Sequence, residues 1–183
     1  MPLPELKDRI VFISGAASGI GAATARAFSR RGCQLVLADL DLVVLTNIEN
    51  SLAQTGARVS SVMLDVSDEA QYTEIAQEIR KTVGIPHVVV NNVDVGAHGS
   101  FLNAPMKAVR RIIDINLYGV SNGCHAFLPM MLGAGDHRHL FNVASMTSIS
   151  PMPDMPAYAA SKYAVDGLTE VLAMKTAVQI GYA

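Results

Sequence analysis

The chain of 183 residues contains no tryptophan, and only 5% of its residues are aromatic. Charge is also scarce. Asp, Glu, Lys and Arg make up 16% of the chain, against about 25% in an average soluble domain. The formal net charge is −2, which leaves no basic footprint for a nucleic acid. Only two cysteines occur, Cys33 and Cys124, far apart and in apolar surroundings. They exclude a disulfide scaffold and read as reduced core residues of a cytoplasmic protein. No apolar run approaches the ~18 residues of a membrane span. The opening MPLPELKDR lacks the apolar segment of a signal peptide. Linkers, repeats and low-complexity tracts are missing too. Half of the residues, however, are apolar, and 14 are glycine. Little charge and much apolar area exclude global disorder, and a chain of this size hides about 70% of its extended surface. The expectation is a single domain.

Short apolar runs alternate with helical periodicity. RIVFISG at 9–15 reads as a buried strand ending on glycine. Ile20, Ala23, Thr24, Ala27 and Phe28 then recur at helical spacing, and Arg30, Arg31 and Gly32 close that helix. QLVLAD at 34–39 is a second strand, Leu45, Ile48 and Leu52 mark a second helix, and RVSSVMLDV at 58–66 is a third strand. Tyr72, Ile75, Ala76, Ile79 and Val83 mark a third helix before the strand HVVVNN at 87–92. Residues 105–132 read as one long helical stretch, 139–145 as a fifth strand, and 158 to about 178 as a last helix. Such alternation predicts an α/β fold with a parallel sheet covered on both faces.

Two constellations carry chemistry. The first strand runs into SGAASGIG, with Gly15, Gly19 and Gly21 around a helix start. Glycines let the backbone approach a pyrophosphate while helix N–H groups face its charge. Asp39 closes the second strand, where a carboxylate can bond an adenosine ribose and repel a 2′-phosphate. The lesser reading is a cap of the next helix, for which Asp41 is also placed. Asp65 can likewise reach the adenine, or serve equally as a cap. In the second constellation Tyr158 and Lys162 lie at i and i+4 on one helix face. An ammonium beside a phenol lowers its pKa toward a useful range. Such a tyrosine can exchange a proton with an alcohol as hydride leaves. Ser145, at the end of the fifth strand, is placed to hold the substrate oxygen. Asn116, mid-helix and a poor helix former, is placed to kink the helix and hold a water near Lys162.

Taken together, SGAASGIG, Asp39, Asp65-Val66, Asn91-Asn92, Asn116 in DINLYG, NVAS ending at Ser145, and YAASK resemble the short-chain dehydrogenase/reductase family. Order and spacing match over nearly the whole chain. The resemblance implies a Rossmann-type doubly wound parallel sheet and a catalytic tetrad of Asn116, Ser145, Tyr158 and Lys162, with Tyr158 as acid and base. It implies NAD as cofactor, held by Gly15, Ser18, Gly19, Ile20, Gly21, Asp39, Asp65, Val66, Asn92, Tyr158 and Lys162. It also implies a small alcohol or ketone substrate, with Met146 to Met155 open to lining an apolar site, and pairing of subunits into a homo-dimer or homo-tetramer.

Two departures stand out. Val93 and Asp94 follow Asn91-Asn92 where the family usually has Ala-Gly, which adds bulk and charge beside an anionic cofactor. Family members also run on for roughly seventy residues, judged against ordinary domain size, with further strands. The expected sheet therefore lacks the C-terminal strands, has five strands ordered 3-2-1-4-5, and leaves the apolar run 139–145 as an open edge. These departures leave a second expectation: an impaired or inert nucleotide-binding module. His137 and His139 have ligand-like spacing without a supporting cluster, so no metal site is expected.

Overall fold

Strands and helices alternate along the computed structural model, which describes residues 6–96, 99–135, 137–175 and 179–182. The first half comprises β1 (Ile10–Ser14), α1 (Gly19–Ser29), β2 (Gln34–Asp39), α2 (Leu42–Ala53), β3 (Arg58–Met63), α3 (Glu69–Thr82) and β4 (Val88–Asn91). The second half holds α4 (Met106–Ile113), α5 (Gly119–Leu132), β5 (His139–Asn142), α6 (Pro156–Lys175) and β6 (Gln179–Tyr182). All pairings are parallel, and the strand order is β3-β2-β1-β4-β5-β6. Alternation along each strand divides the core. Val11, Ile13, Leu35, Leu37, Val88 and Val90 pack on one face with Ala22 and Ala25 of α1 and Leu45, Ile48 and Leu52 of α2. Phe12, Val36, Ala38 and Val89 pack on the other with α3, α5 and Val165 of α6. Both cysteines are buried and unpaired, and burial pushes the Cys124 thiol up to about 11. Among the described residues no helix is long and apolar enough to cross a membrane.

The order from β3 to β5 is the expected one, but β5 is not an edge. Gln179–Tyr182 adds a parallel sixth strand against it, pairing His139 with Gln179 and Asn142 with Tyr182. Four residues are too short a run for periodicity to reveal. The expected end of the last helix near 178 falls at 176–178, outside the described residues. The third strand is shorter than expected and ends at Met63, opposite Asp39. Past that pair Leu64 N still donates to the Asp39 carbonyl at 3.0 Å, while Asp65 and Val66 lie beyond the ladder. The fifth strand likewise ends at Asn142, three residues before Ser145.

A buried polar chain crosses the C-terminal ends of the strands. The Tyr72 hydroxyl donates to Asn91 Oδ1 at 3.1 Å, and Asn91 Nδ2 donates to Asn142 Oδ1 at 2.8 Å. Asn142 Nδ2 donates to Thr169 Oγ1 at 3.0 Å. This chain couples α3, β4, β5 and α6. Replacing Asn91 by Leu keeps its volume but strands two buried partners, and is expected to cost about 2–4 kcal/mol. Tyr72→Phe removes only the terminal donor and is expected to cost about 1 kcal/mol. Urea unfolding of both variants measures the difference, and equal losses would refute the chain's importance.

Candidate functional site

At the C-terminal edge of the sheet, β1 gives way to a tight turn. Gly15 has φ +66 there. Gly21 packs so closely that an added Cβ would lie 2.0 Å from the Gly15 carbonyl oxygen. Gly19 has φ +52, and a Cβ on it would meet nothing within 4 Å, because that residue faces open space. Ser18 precedes α1 in extended backbone, and its side chain caps no helix N–H. The start of α1 therefore presents N–H groups with neither a side-chain cap nor an acidic residue in the first turn. Such a terminus suits a phosphate.

This turn forms one wall of a cleft of about 460 Å³, also lined by Ser18, Ile20, Asp39, Asp65, Val66, Asn92, Asp94 and Arg111. Asp39 is held by two backbone donors, Ala17 N to Oδ2 at 3.0 Å and Asp41 N to Oδ1 at 3.1 Å. It is not the cap of α2. Asp41 fills that role, accepting from Val44 N. Asp65 is not a cap either, because Asp68 caps α3; Asp65 Oδ1 accepts from the Ser67 amide and hydroxyl. Asn92 braces the glycine turn, its Nδ2 donating to the Gly15 carbonyl at 3.1 Å and its N to Ser14 Oγ at 3.1 Å. Val66 is buried against Gly119. Arg111 reads from sequence as part of a solvated face. Its i, i+4 relation to Ile115, which lines the same cleft, is the signal that marks it. A larger hollow of about 710 Å³ lies at the opposite ends of the strands, between Asp8, Arg26, Arg30 and Arg58. It gathers none of these groups.

Behind Asp94 and Val143 of this lining, α6 places Tyr158 and Lys162 one turn apart. Lys162 is a buried cation, fully shielded from solvent. Its Nζ donates to the Val143 carbonyl at 3.0 Å and pairs with Asp94 Oδ1 at 3.1 Å. It also lies 5.6 Å from the centre of the Tyr158 ring. The Tyr158 hydroxyl donates to Asp94 Oδ2 at 2.8 Å. The phenol does not follow the lysine downward. Burial raises its pKa, Asp94 raises it further through the hydrogen bond and its charge, and the Ser145 hydroxyl pulls the other way. Ser145 itself begins a single 3₁₀ turn and accepts from Thr147 N at 3.2 Å.

Asn116 sits in one π-helical turn, Asp114–Tyr118, between α4 and α5. Its amide bonds both polar atoms of the Val95 backbone at 2.9 Å and reaches Ser161 Oγ at 3.1 Å. The π turn falls where the sequence placed a kink at Asn116. In the structure its side chain fixes the loop after β4 to α6. Among the described residues no group of three or more His, Cys, Asp or Glu side chains converges as a metal site would require.

Comparison with known proteins adds to this geometry. The short chain dehydrogenase family model matches residues 9–180. The probable oxidoreductase EphD of Mycobacterium tuberculosis is 37% identical over 157 residues, covering 86% of this chain and 26% of that protein. A short-chain dehydrogenase/reductase of Burkholderia phymatum, solved in complex with NAD, superposes with a TM-score of 0.93 at 34% identity. That match covers 97% of this chain and 65% of the other. An alcohol dehydrogenase of Thermococcus sibiricus, complexed with 5-hydroxy-NADP, gives 0.91 at 27% identity, over 96% and 75% of the two chains. The chain thus spans about a quarter of the curated relative and about two thirds of the Burkholderia structure.

The two glycines should separate folding from binding. Gly21→Ala sets a methyl against backbone, so a large fall in melting temperature is expected. Gly19→Ala meets only the left-handed backbone penalty of about 1–2 kcal/mol. Thermal unfolding of the two variants is the check, and a Gly19→Ala protein as damaged as Gly21→Ala would contradict the open geometry.

Proposed function

The chain belongs to the short-chain dehydrogenase/reductase family, and on that premise we propose that it is an NAD-dependent oxidoreductase interconverting a secondary alcohol and a ketone. The observation that carries this is the contact of Tyr158 and a buried Lys162 with Asp94, a residue lining the same cleft as an uncapped helix N-terminus and Asp39. The cleft fits a dinucleotide in its donor set. The start of α1 and the open face of Gly19 would take the pyrophosphate. Asp39, with up to four acceptor positions on its carboxylate and only two used by backbone, would take the adenosine ribose. Asp65, Val66 and Asn92 would line the remainder.

A nicotinamide held there would supply the site with a hydride acceptor or donor. The residues supply the proton chemistry. In the oxidising direction Tyr158 Oη takes the hydroxyl proton of the alcohol as hydride leaves the carbon. In the reducing direction the same atom returns a proton to the carbonyl oxygen. Ser145 Oγ would hold the substrate oxygen and concentrate the developing charge at that point. Lys162, shielded from water, adds positive charge to the site, and Asn116 keeps the surrounding loop fixed. Met146, Ile149 and Met152 expose much of their surface between Ser145 and Tyr158, which supports a substrate with an apolar body.

Two outcomes follow. Tyr158→Phe is expected to lower turnover of apolar secondary alcohols by at least about 100-fold, the lower range of proton-transfer catalysis, while NAD affinity stays nearly unchanged. Steady-state kinetics and calorimetry give the two numbers, and retention of a tenth of the rate removes Tyr158 from its role. Titration of the chain with both cofactors is expected to favour NAD over NADP, because a 2′-phosphate would meet the Asp39 carboxylate. Asp39→Asn should narrow the gap. Equal or tighter NADP binding by the parent would refute the preference.

A further inference from the structure

Asp94 belongs to none of the roles assigned so far, yet it touches both Tyr158 and Lys162. Its position is built in. On one side Asn92 is bonded to Ser14 and Gly15; on the other, Val95 is bonded at both backbone polar atoms by Asn116. Between these two anchors the Asp94 carboxylate divides its oxygens, Oδ2 accepting from the Tyr158 hydroxyl at 2.8 Å and Oδ1 meeting Lys162 Nζ at 3.1 Å. Its side chain retains 35% exposure, against 0% for Lys162.

Taking Tyr158 as the proton donor and acceptor proposed above, we infer that Asp94 is a positioning residue that holds the Tyr158 hydroxyl protonated. It thereby favours proton donation to a carbonyl over proton removal from an alcohol at neutral pH. An ionised carboxylate has only acceptors to offer, so its partner must bring the proton. Lys162 is paired with the same carboxylate, the counter-charge that a buried ammonium needs. Removing the phenol proton would set two anionic oxygens at hydrogen-bond distance in a half-buried site, an arrangement that like charges resist. The other groups around the phenol do not reverse this. Lys162 is engaged by Asp94 and the Val143 carbonyl, and Ser145 offers a neutral hydroxyl from the segment after β5. The π turn contributes Asn116, also neutral and bonded elsewhere, and α4 places Arg111 on the wall of the same cleft. Burial and Asp94 both move the Tyr158 pKa upward, with Ser145 opposing.

The test is an NMR titration of protein labelled with ¹³C at the tyrosine ring carbon bearing the hydroxyl. Tyr158→Phe identifies the signal among the five tyrosines. The expected result is a Tyr158 midpoint above that of an ordinary phenol in the parent and a lower one in Asp94→Asn and Asp94→Gly. In parallel, alcohol oxidation at pH 7 should rise by about tenfold in Asp94→Asn, as one pKa unit would give. Its pH profile should move toward acid, while ketone reduction loses its alkaline limb. An unchanged or raised midpoint in a folded Asp94→Asn protein overturns the inference. So does a parent midpoint at or below that of a free phenol, which needs no variant to fold. A lowered midpoint in a chain that turns over no alcohol or ketone supports the inference about Asp94 and refutes the proposed activity instead.

Discussion

Two adjacent asparagines at the end of β4 govern the geometry of everything else in the cleft. Because successive strand residues point to opposite sides, Asn91 and Asn92 reach in opposite directions. Asn91 joins β5, α3 and α5 through Asn142, Tyr72 and Cys124, and Asn142 carries the connection to α6. Asn92 braces the turn that leads into α1. Each asparagine requires glycine opposite it. A Cβ on Gly123 would lie 2.2 Å from Asn91 Oδ1, and one on Gly21 would lie 2.7 Å from Asn92 Nδ2. The glycine turn and the helix bearing Tyr158 and Lys162 are thus referred to the same two adjacent residues, the last of β4 and the one after it.

Where burial or local backbone geometry dictates residue type, the fold can be read from the sequence. β1, β2 and β4 are enclosed on both faces, so their apolar runs are continuous and their existence is plain. The glycine turn and the Tyr158–Lys162 spacing are local patterns in which each residue type has a steric or electrostatic reason. The remaining features depend on partners remote in sequence. β6 is four residues long and earns its strand conformation only by pairing with β5. The end of β3 falls where its partner β2 ends, at Asp39. The direction of Asp94 is fixed by anchors contributed from β1 and from the π turn, at sequence separations that no periodicity encodes. The same holds for the phenol: pairing it with Lys162 alone predicts a lowered pKa, whereas burial, and then Asp94, raise it.

Lys162 shows how the site tolerates a cation without solvent. A bare ammonium in that position would be heavily penalised. The Val143 carbonyl, the Asp94 carboxylate and the Tyr158 ring surround it instead, while neutral hydroxyls and amides complete the neighbourhood. Polar groups at this edge of the sheet are arranged so that every buried side-chain nitrogen and oxygen among the described residues has a partner. That satisfaction is what permits so much polarity next to the apolar core.

The π turn at Asp114–Tyr118 has a consequence for the phase of the whole helical run. It accommodates one residue more than an α-helical turn would, and each α-helical residue advances the face by about 100°. Deleting a single residue there would restore an ordinary α-helical turn and keep the flanking faces in phase, whereas deleting one from the regular turn that follows would rotate everything downstream by that angle. Val120, Cys124, Phe127 and Met131, which now pack against the sheet, would swing toward solvent, although no apolar residue had been changed. The turn takes up its extra residue between two surfaces: Arg111 and Ile115 line the cleft, and downstream the helix feeds the core. The loss of one residue is therefore better absorbed within this turn than in the α-helical segments on either side.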